Sequence, residues 1–167
     1  MLITEKLGNT RNTSVIEGDI DILSIEWFET HKRILHKQTK KGQNITLKFL
    51  KENHALADGD ILWKDQDTVI VVEIKDCKCI VVTPNAILTA ASLCYEIGNR
   101  HLSVYYEGND LLIPYEVTVH NLLEALGYQL RIEERKLNTA LKTTVLPHLR
   151  SADTGSIHKT SQLLTSS

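Results

Sequence analysis

From Cys77 onward the apolar residues switch between a period of two and a period near 3.6, and the order of the switches leaves few folds open. Cys77-Lys78-Cys79-Ile80-Val81-Val82 reads as a strand. Thr83-Pro84 then offers an N-cap with Pro at the first helical position. Ile87, Ala90, Ala91, Cys94 and Ile97 follow as a one-sided helical stripe, with Gly98 placed as the residue that ends it. Leu102, Val104 and Tyr106 alternate with His101, Ser103 and Tyr105 as a second strand. Glu107-Gly108-Asn109-Asp110 turns into a short third strand, Leu111-Leu112-Ile113-Pro114. Val119, Leu122, Leu123 and Leu126 make a second stripe closed by Gly127, and Tyr128 to Glu133 alternates as a fourth strand. Strand, helix, strand, strand, helix, strand is the split βαβ, or ferredoxin-like, unit. Two helices cover one face of a four-stranded sheet, so the other face is solvated or covered by a partner.

Residues 1–75 show short strands with turn signals about every ten residues and no helical stripe. Leu23, Ile25 and Trp27 share one side of the run from Asp21 to Glu29, and Ile45, Leu47 and Phe49 share one side of the next clear strand. Lys40-Lys41-Gly42-Gln43 is a hairpin connection with Gly where positive φ is cheap. Asp58-Gly59-Asp60 turns into Ile61-Leu62-Trp63, and Thr68 to Ile74 forms a further strand. The expected fold class is α+β. A small antiparallel β-domain spans 1–75 and a ferredoxin-like domain spans 76–142. Residues 143–167, rich in Ser and Thr without periodicity, read as a flexible tail.

The chain has 167 residues with 19 Lys plus Arg against 21 Asp plus Glu, a net charge of -2. That balance argues against a protein that coats nucleic acid, which needs a basic excess. Tyr105 and Tyr106 invite comparison with strand aromatics that stack RNA bases, but their flanks lack the basic, glycine and aromatic context. The alternation expects Tyr106 in the core. No apolar run approaches the ~20 residues of a membrane span, and the start has no signal-peptide pattern. Three cysteines fit a reducing compartment, so the expected location is the cytoplasm. Nucleophile elbows, phosphate-binding loops and zinc-protease motifs are missing from the sequence, which argues against an enzyme.

His101, in Gly98-Asn99-Arg100-His101, is the sharpest chemical feature. Placed at the start of the second strand, it points to the helix-free face by alternation. Imidazole there suits nickel, copper or zinc. A single histidine is too few ligands, but a two-fold dimer brings two copies together without further residues.

The stretch Cys94-Tyr95-Glu96-Ile97-Gly98-Asn99-Arg100-His101 resembles the urease accessory protein UreE family of nickel metallochaperones. Asp58-Gly59-Asp60-Ile61-Leu62, Val69-Ile70-Val71-Val72-Glu73, Thr83-Pro84 and Leu122 to Gly127 add to the resemblance, which covers residues 1 to about 143. It implies a homodimer joined through the ferredoxin-like domain, with His101 of each copy sharing Ni(II). It also implies delivery of the ion to the urease apoprotein assembly through a GTPase of the UreG kind, and an N-terminal domain that docks peptides or partners. Cu(II) or Zn(II) would fit the same ligands. Many relatives carry a dense histidine-rich tail, whereas this tail holds only His148 and His158. Either could complete the shell, His148 being closer to the domain and next to Pro147. His31, His36, His54 and His120 read as solvated side chains. Cys77 and Cys79 share a strand face but lack a metal-loop spacing, and Cys94 reads as core. The alternative function is a metal-independent adaptor in the urease maturation complex.

Overall fold

The computed structural model describes residues 1–13, 18–50 and 55–141. The N-terminal strands are β1 (Leu2–Ile3), β2 (Gly8–Asn9), β3 (Asp19–Ile25), β4 (Ile34–Gln38), β5 (Asn44–Lys48), β6 (Asp60–Lys64) and β7 (Thr68–Ile74). They form two sheets, ordered β1-β5-β4 and β2-β6-β7-β3. The inward sides of both supply one core that includes Leu23, Ile25, Ile45, Leu47, Leu62, Ile70 and Ile74. Gly42, at φ 93°, makes the β4–β5 hairpin turn, as its place in the sequence expects.

Two features of this domain differ from the sequence reading. It is not wholly antiparallel: β3 runs parallel to β7 from Asp19↔Thr68 to Ile25↔Ile74, and β1 runs parallel to β5. Alternation reports which face is buried and carries no information on strand direction. The run from Asp21 also stops being a strand at Ile25, and Trp27–Glu29 forms a 3-10 turn. Glu29 closes that turn by accepting the Glu26 N–H at 2.9 Å, and Lys37 and Lys32 balance its buried carboxylate.

Asp58-Gly59-Asp60 is a structural junction. Gly59 sits at φ 83°, and a Cβ there would stand 2.5 Å from the Thr10 hydroxyl. Asp60 is buried and accepts from Asn9 Nδ2 (2.9 Å) and the Ala57 N–H (2.8 Å), with Lys6 Nζ at 2.9 Å. Asp58 accepts from the Ile74 N–H at 2.8 Å and from Lys136 Nζ at 3.2 Å, which ties the first domain to the second.

The second domain contains β8 (Cys77–Val82), α1 (Ile87–Gly98), β9 (Tyr105–Glu107), β10 (Asp110–Pro114), α2 (Val117–Ala125) and β11 (Arg131–Arg135). The sheet order is β11-β8-β10-β9 with every neighbour antiparallel, the ferredoxin-like arrangement. Leu93 and Ile97 of α1 and Val119 and Leu123 of α2 are buried against Ile80, Val82 and Ile113 of the sheet. Gly127, at φ 81°, ends α2 as expected: its N–H bonds to Glu124 O and that of Tyr128 to Leu123 O.

The helix-free face is covered from within the chain. Cys79, Val81, Tyr105 and Leu112 pack there under Leu137, with Trp27 and Ala140 against them. Trp27 meets Tyr105 edge to face at 6.2 Å between ring centroids. After β11 the chain crosses to the far edge of the sheet, where Tyr106 N–H bonds to Thr139 O and Leu141 N–H to Val104 O. Tyr106 therefore lies on the outermost strand and is exposed, against the core position expected for it. Among the described residues no helix is long and apolar enough to cross a membrane.

Thr83 does not cap α1, whose first residue is Ile87. Its hydroxyl instead donates to Asp110 and accepts from Arg131 Nη1 at 2.8 Å. Arg131 and Arg135 both donate to Asp110 Oδ2 at 3.2 Å. The Thr83 hydroxyl first, and then the Arg131 guanidinium, hold the Asp110 carboxyl below its ordinary value of 3.8. The stability this confers is present above that ordinary value and is lost as pH falls through the lowered one. Asp110→Asn is expected to cost about 1 kcal/mol at neutral pH and to flatten the acid limb of the stability curve. Urea denaturation at a series of acidic pH values measures both.

Candidate metal centre

The end of α1 builds the site. Arg100 N–H bonds to Ile97 O, His101 N–H to Gly98 O at 2.9 Å, and Leu102 N–H to Ile97 O at 3.3 Å. The last two bonds are the paired closures of a Schellman motif, with His101 at its left-handed position. Leu102 and Ile97 pack in the same cluster, the apolar contact that accompanies the motif. His101 has φ 58° and is the single non-glycine residue with positive φ among the described residues.

Gly98 is the last residue of α1, as its sequence position suggests, but it does not take the left-handed terminating position, and His101 does not begin a strand. The chain continues through Asn99 and Arg100 as a turn before β9 starts at Tyr105. His101 consequently stands at the tip of α1 and not on the helix-free sheet face. The same role that Gly127 fills at the end of α2 is filled here by a histidine. A left-handed Cβ-bearing residue costs roughly 1 kcal/mol. Strain of this kind is retained where the side chain is needed.

His101 is exposed, and no hydrogen bond or ion pair holds its ring among the described residues. The carbonyl end of α1 carries the negative end of the helix dipole, which favours a cation by about 0.3–1 kcal/mol. The described residues contain no group of three His, Cys, Asp or Glu side chains arranged for a metal. His148 and His158 lie outside the described residues, as does the whole expected tail and His54.

Alpha helix α1 has a second apolar face that the sequence reading missed. Its buried side is Leu93 and Ile97 with Cys94 partly covered, whereas Ile87 is 84% exposed and Ala91 also faces out. Leu88 (76% exposed), Ala91 and Tyr95 (69% exposed) follow one another at helical spacing toward the end that carries His101. Leu88 and Tyr95, seven apart and outside the inner stripe, were the available signal.

The comparisons with known proteins match this architecture over both domains. A family model described as the UreE urease accessory protein N-terminal domain matches residues 3–75, and one described as its C-terminal domain matches residues 77–158. The chain belongs to the UreE urease accessory protein family. It is 38% identical over 148 residues to a urease accessory protein UreE of Flavobacterium johnsoniae, covering 89% of this chain and 90% of that protein. It is 36% identical over 153 residues to one of Helicobacter pylori (strain P12), covering 89% of each, and 35% identical to one of Helicobacter acinonychis. A UreE chain is an accessory protein and not an enzyme.

The remaining candidate ligands of this UreE chain are otherwise engaged. The Cys77 and Cys79 thiols lie 3.7 Å apart, and both donate toward the Arg135 carbonyl oxygen. Burial pushes the Cys77 thiol up to about 12 and raises Cys79 and Cys94 as well, which disfavours the thiolate that binds metal at all three. His36 Nδ1 is 3.0 Å from the Thr46 hydroxyl, and His120 stacks at a tilt on Tyr115.

Proposed function

We propose that the protein is a nickel metallochaperone that takes up Ni(II) between two copies of itself and delivers it for assembly of the urease active site. The observation that carries this reading is His101: exposed, free of partners among the described residues, and held in a strained backbone position at a helix end that attracts cations. The relatives' names supply the urease context. Borderline cations favour imidazole, and Cu(II) or Zn(II) would bind the same nitrogen in the order set by their chemistry. One imidazole holds an ion weakly, while a two-fold dimer presents two. The exposed stripe of Leu88, Ala91 and Tyr95 leads to His101 and supports a homodimer formed through the ferredoxin-like domain. His148 and His158 are further ligands in this scheme.

The working units are an N-terminal docking domain at 1–75, a metal-binding and dimerisation domain at 76–142, and a tail at 143–167. The protein works in the cytoplasm, where a GTPase of the UreG kind and the urease apoprotein receive the ion. A site made of few neutral ligands at an interface selects its cargo and still opens to a competing partner. Protons compete for the imidazole nitrogen, so uptake weakens on acidification.

Sedimentation during nickel titration tests the scheme. The expected result is a dimer with one tight ion per two chains. Tyr95→Glu places a charge in the apolar stripe and is expected to weaken the dimer at least about tenfold, with the tight nickel event lost in parallel. A monomer that still binds one tight ion per chain would overturn the shared site.

A further inference from the structure

The residue before His101 is a cation placed beside a cation site. Arg100 Nη1 donates to the Glu96 backbone carbonyl at 2.6 Å and to Glu96 Oε2 at 2.9 Å. The two side chains are 39% and 36% exposed. An exposed pair at i, i+4 adds little to helix stability. Its location matters more. The last-turn carbonyl and the carboxylate are negative groups on the end of α1 that carries His101, and one guanidinium covers both.

We propose that Arg100 limits nickel affinity at His101: it neutralises the Glu96 carboxylate and the last-turn carbonyl, and so withholds from the ion two groups that would otherwise attract it. This rests on the nickel reading above. The consequence is a site tuned for release. The magnitude follows from taking roughly 10 Å between a divalent ion on His101 and the neighbouring residue's charge. At that range one unit charge alters affinity by about threefold at low ionic strength, and less in physiological salt. Two copies at a shared ion make about tenfold.

Isothermal titration with nickel chloride at about 10 mM ionic strength separates the outcomes, using the full chain and five variants. Arg100→Gln is expected to bind nickel about tenfold tighter and to release it more slowly to a chelator. Glu96→Gln leaves Arg100 uncompensated and is expected to bind it about tenfold weaker. The double variant returns toward the wild-type value, and Arg100→Lys, which keeps the charge, stays within about twofold of it. The shifts shrink as salt is raised. A merely structural role for the pair would change the melting temperature of both single variants alike, without the opposite signs in affinity. Equal or same-direction shifts in Arg100→Gln and Glu96→Gln overturn the proposal. A tight event that survives in His101→Gly overturns the nickel reading itself, whereas its loss there with no shift in Arg100→Gln overturns this inference alone.

Discussion

His101→Gly is expected to erase the tight nickel event and at the same time raise the melting temperature by a few degrees. Both effects come from the same atom set. In the proposed site the imidazole is the ligand, so its loss removes the event from a calorimetric titration. The backbone at φ 58° is a conformation that glycine adopts without a Cβ penalty. Relief of roughly 1 kcal/mol corresponds to about 2–4 °C in a chain of this length unfolding as one unit. His101→Ala is a poorer control, because it loses the ligand and keeps the strain. Differential scanning calorimetry of the metal-free proteins, paired with nickel titration, checks both halves. Retention of the tight event in the glycine variant would end the assignment of His101, and a lowered melting temperature would contradict the Schellman geometry.

Trp27→Ala is expected to make unfolding proceed in two steps. The indole is shared between the core of the strand domain and the cluster on the helix-free face, where it meets Tyr105 edge to face. It is only partly buried, so the cost is at the low end for a large aromatic, about 3 kcal/mol. The Asp58–Lys136 pair remains as a tether between the domains but contributes little by itself. With the joint emptied, each domain unfolds at its own denaturant concentration. Tryptophan fluorescence from Trp63 follows the first domain, and far-ultraviolet circular dichroism follows the helices of the second. Coincident transitions would show that the joint lies elsewhere.

The sequence made the ferredoxin-like order readable because helical stripes and strand alternation are strong where a core must be filled. Leu93, although left out of the expected stripe, and Ile97, included in it, lie on the same buried side. Element ends were harder. Gly127 and Gly98 look alike as helix terminators, yet only Gly127 takes the left-handed position, because the α1 turn closes three residues further on. A histidine tolerates that position at modest cost, and glycine placement alone does not reveal it. The cover of the helix-free face was invisible for a different reason. It depends on Trp27 leaving its strand through a 3-10 turn and on Leu137 crossing the sheet, contacts between residues far apart in the chain. Parallel pairing of β3 with β7 is likewise a long-range choice. His101 as a candidate ligand was legible from its neighbours, whereas its backbone geometry and the exposed stripe of α1 needed coordinates.

The crossing segment fixes where the rest of the chain sets out. Leu141 N–H bonds to Val104 O, three residues along the chain from His101, so the sequence beyond it continues from the segment that follows His101. The seven residues from Leu141 to His148 reach at most about 25 Å when fully extended. In the proposed scheme His148 is seven residues along the chain from that anchor, and the closure cost of bringing it to the ion grows only slowly with sequence separation. His158 lies at more than twice that sequence separation, so at equal chemistry its effective concentration in the scheme is the lower of the two.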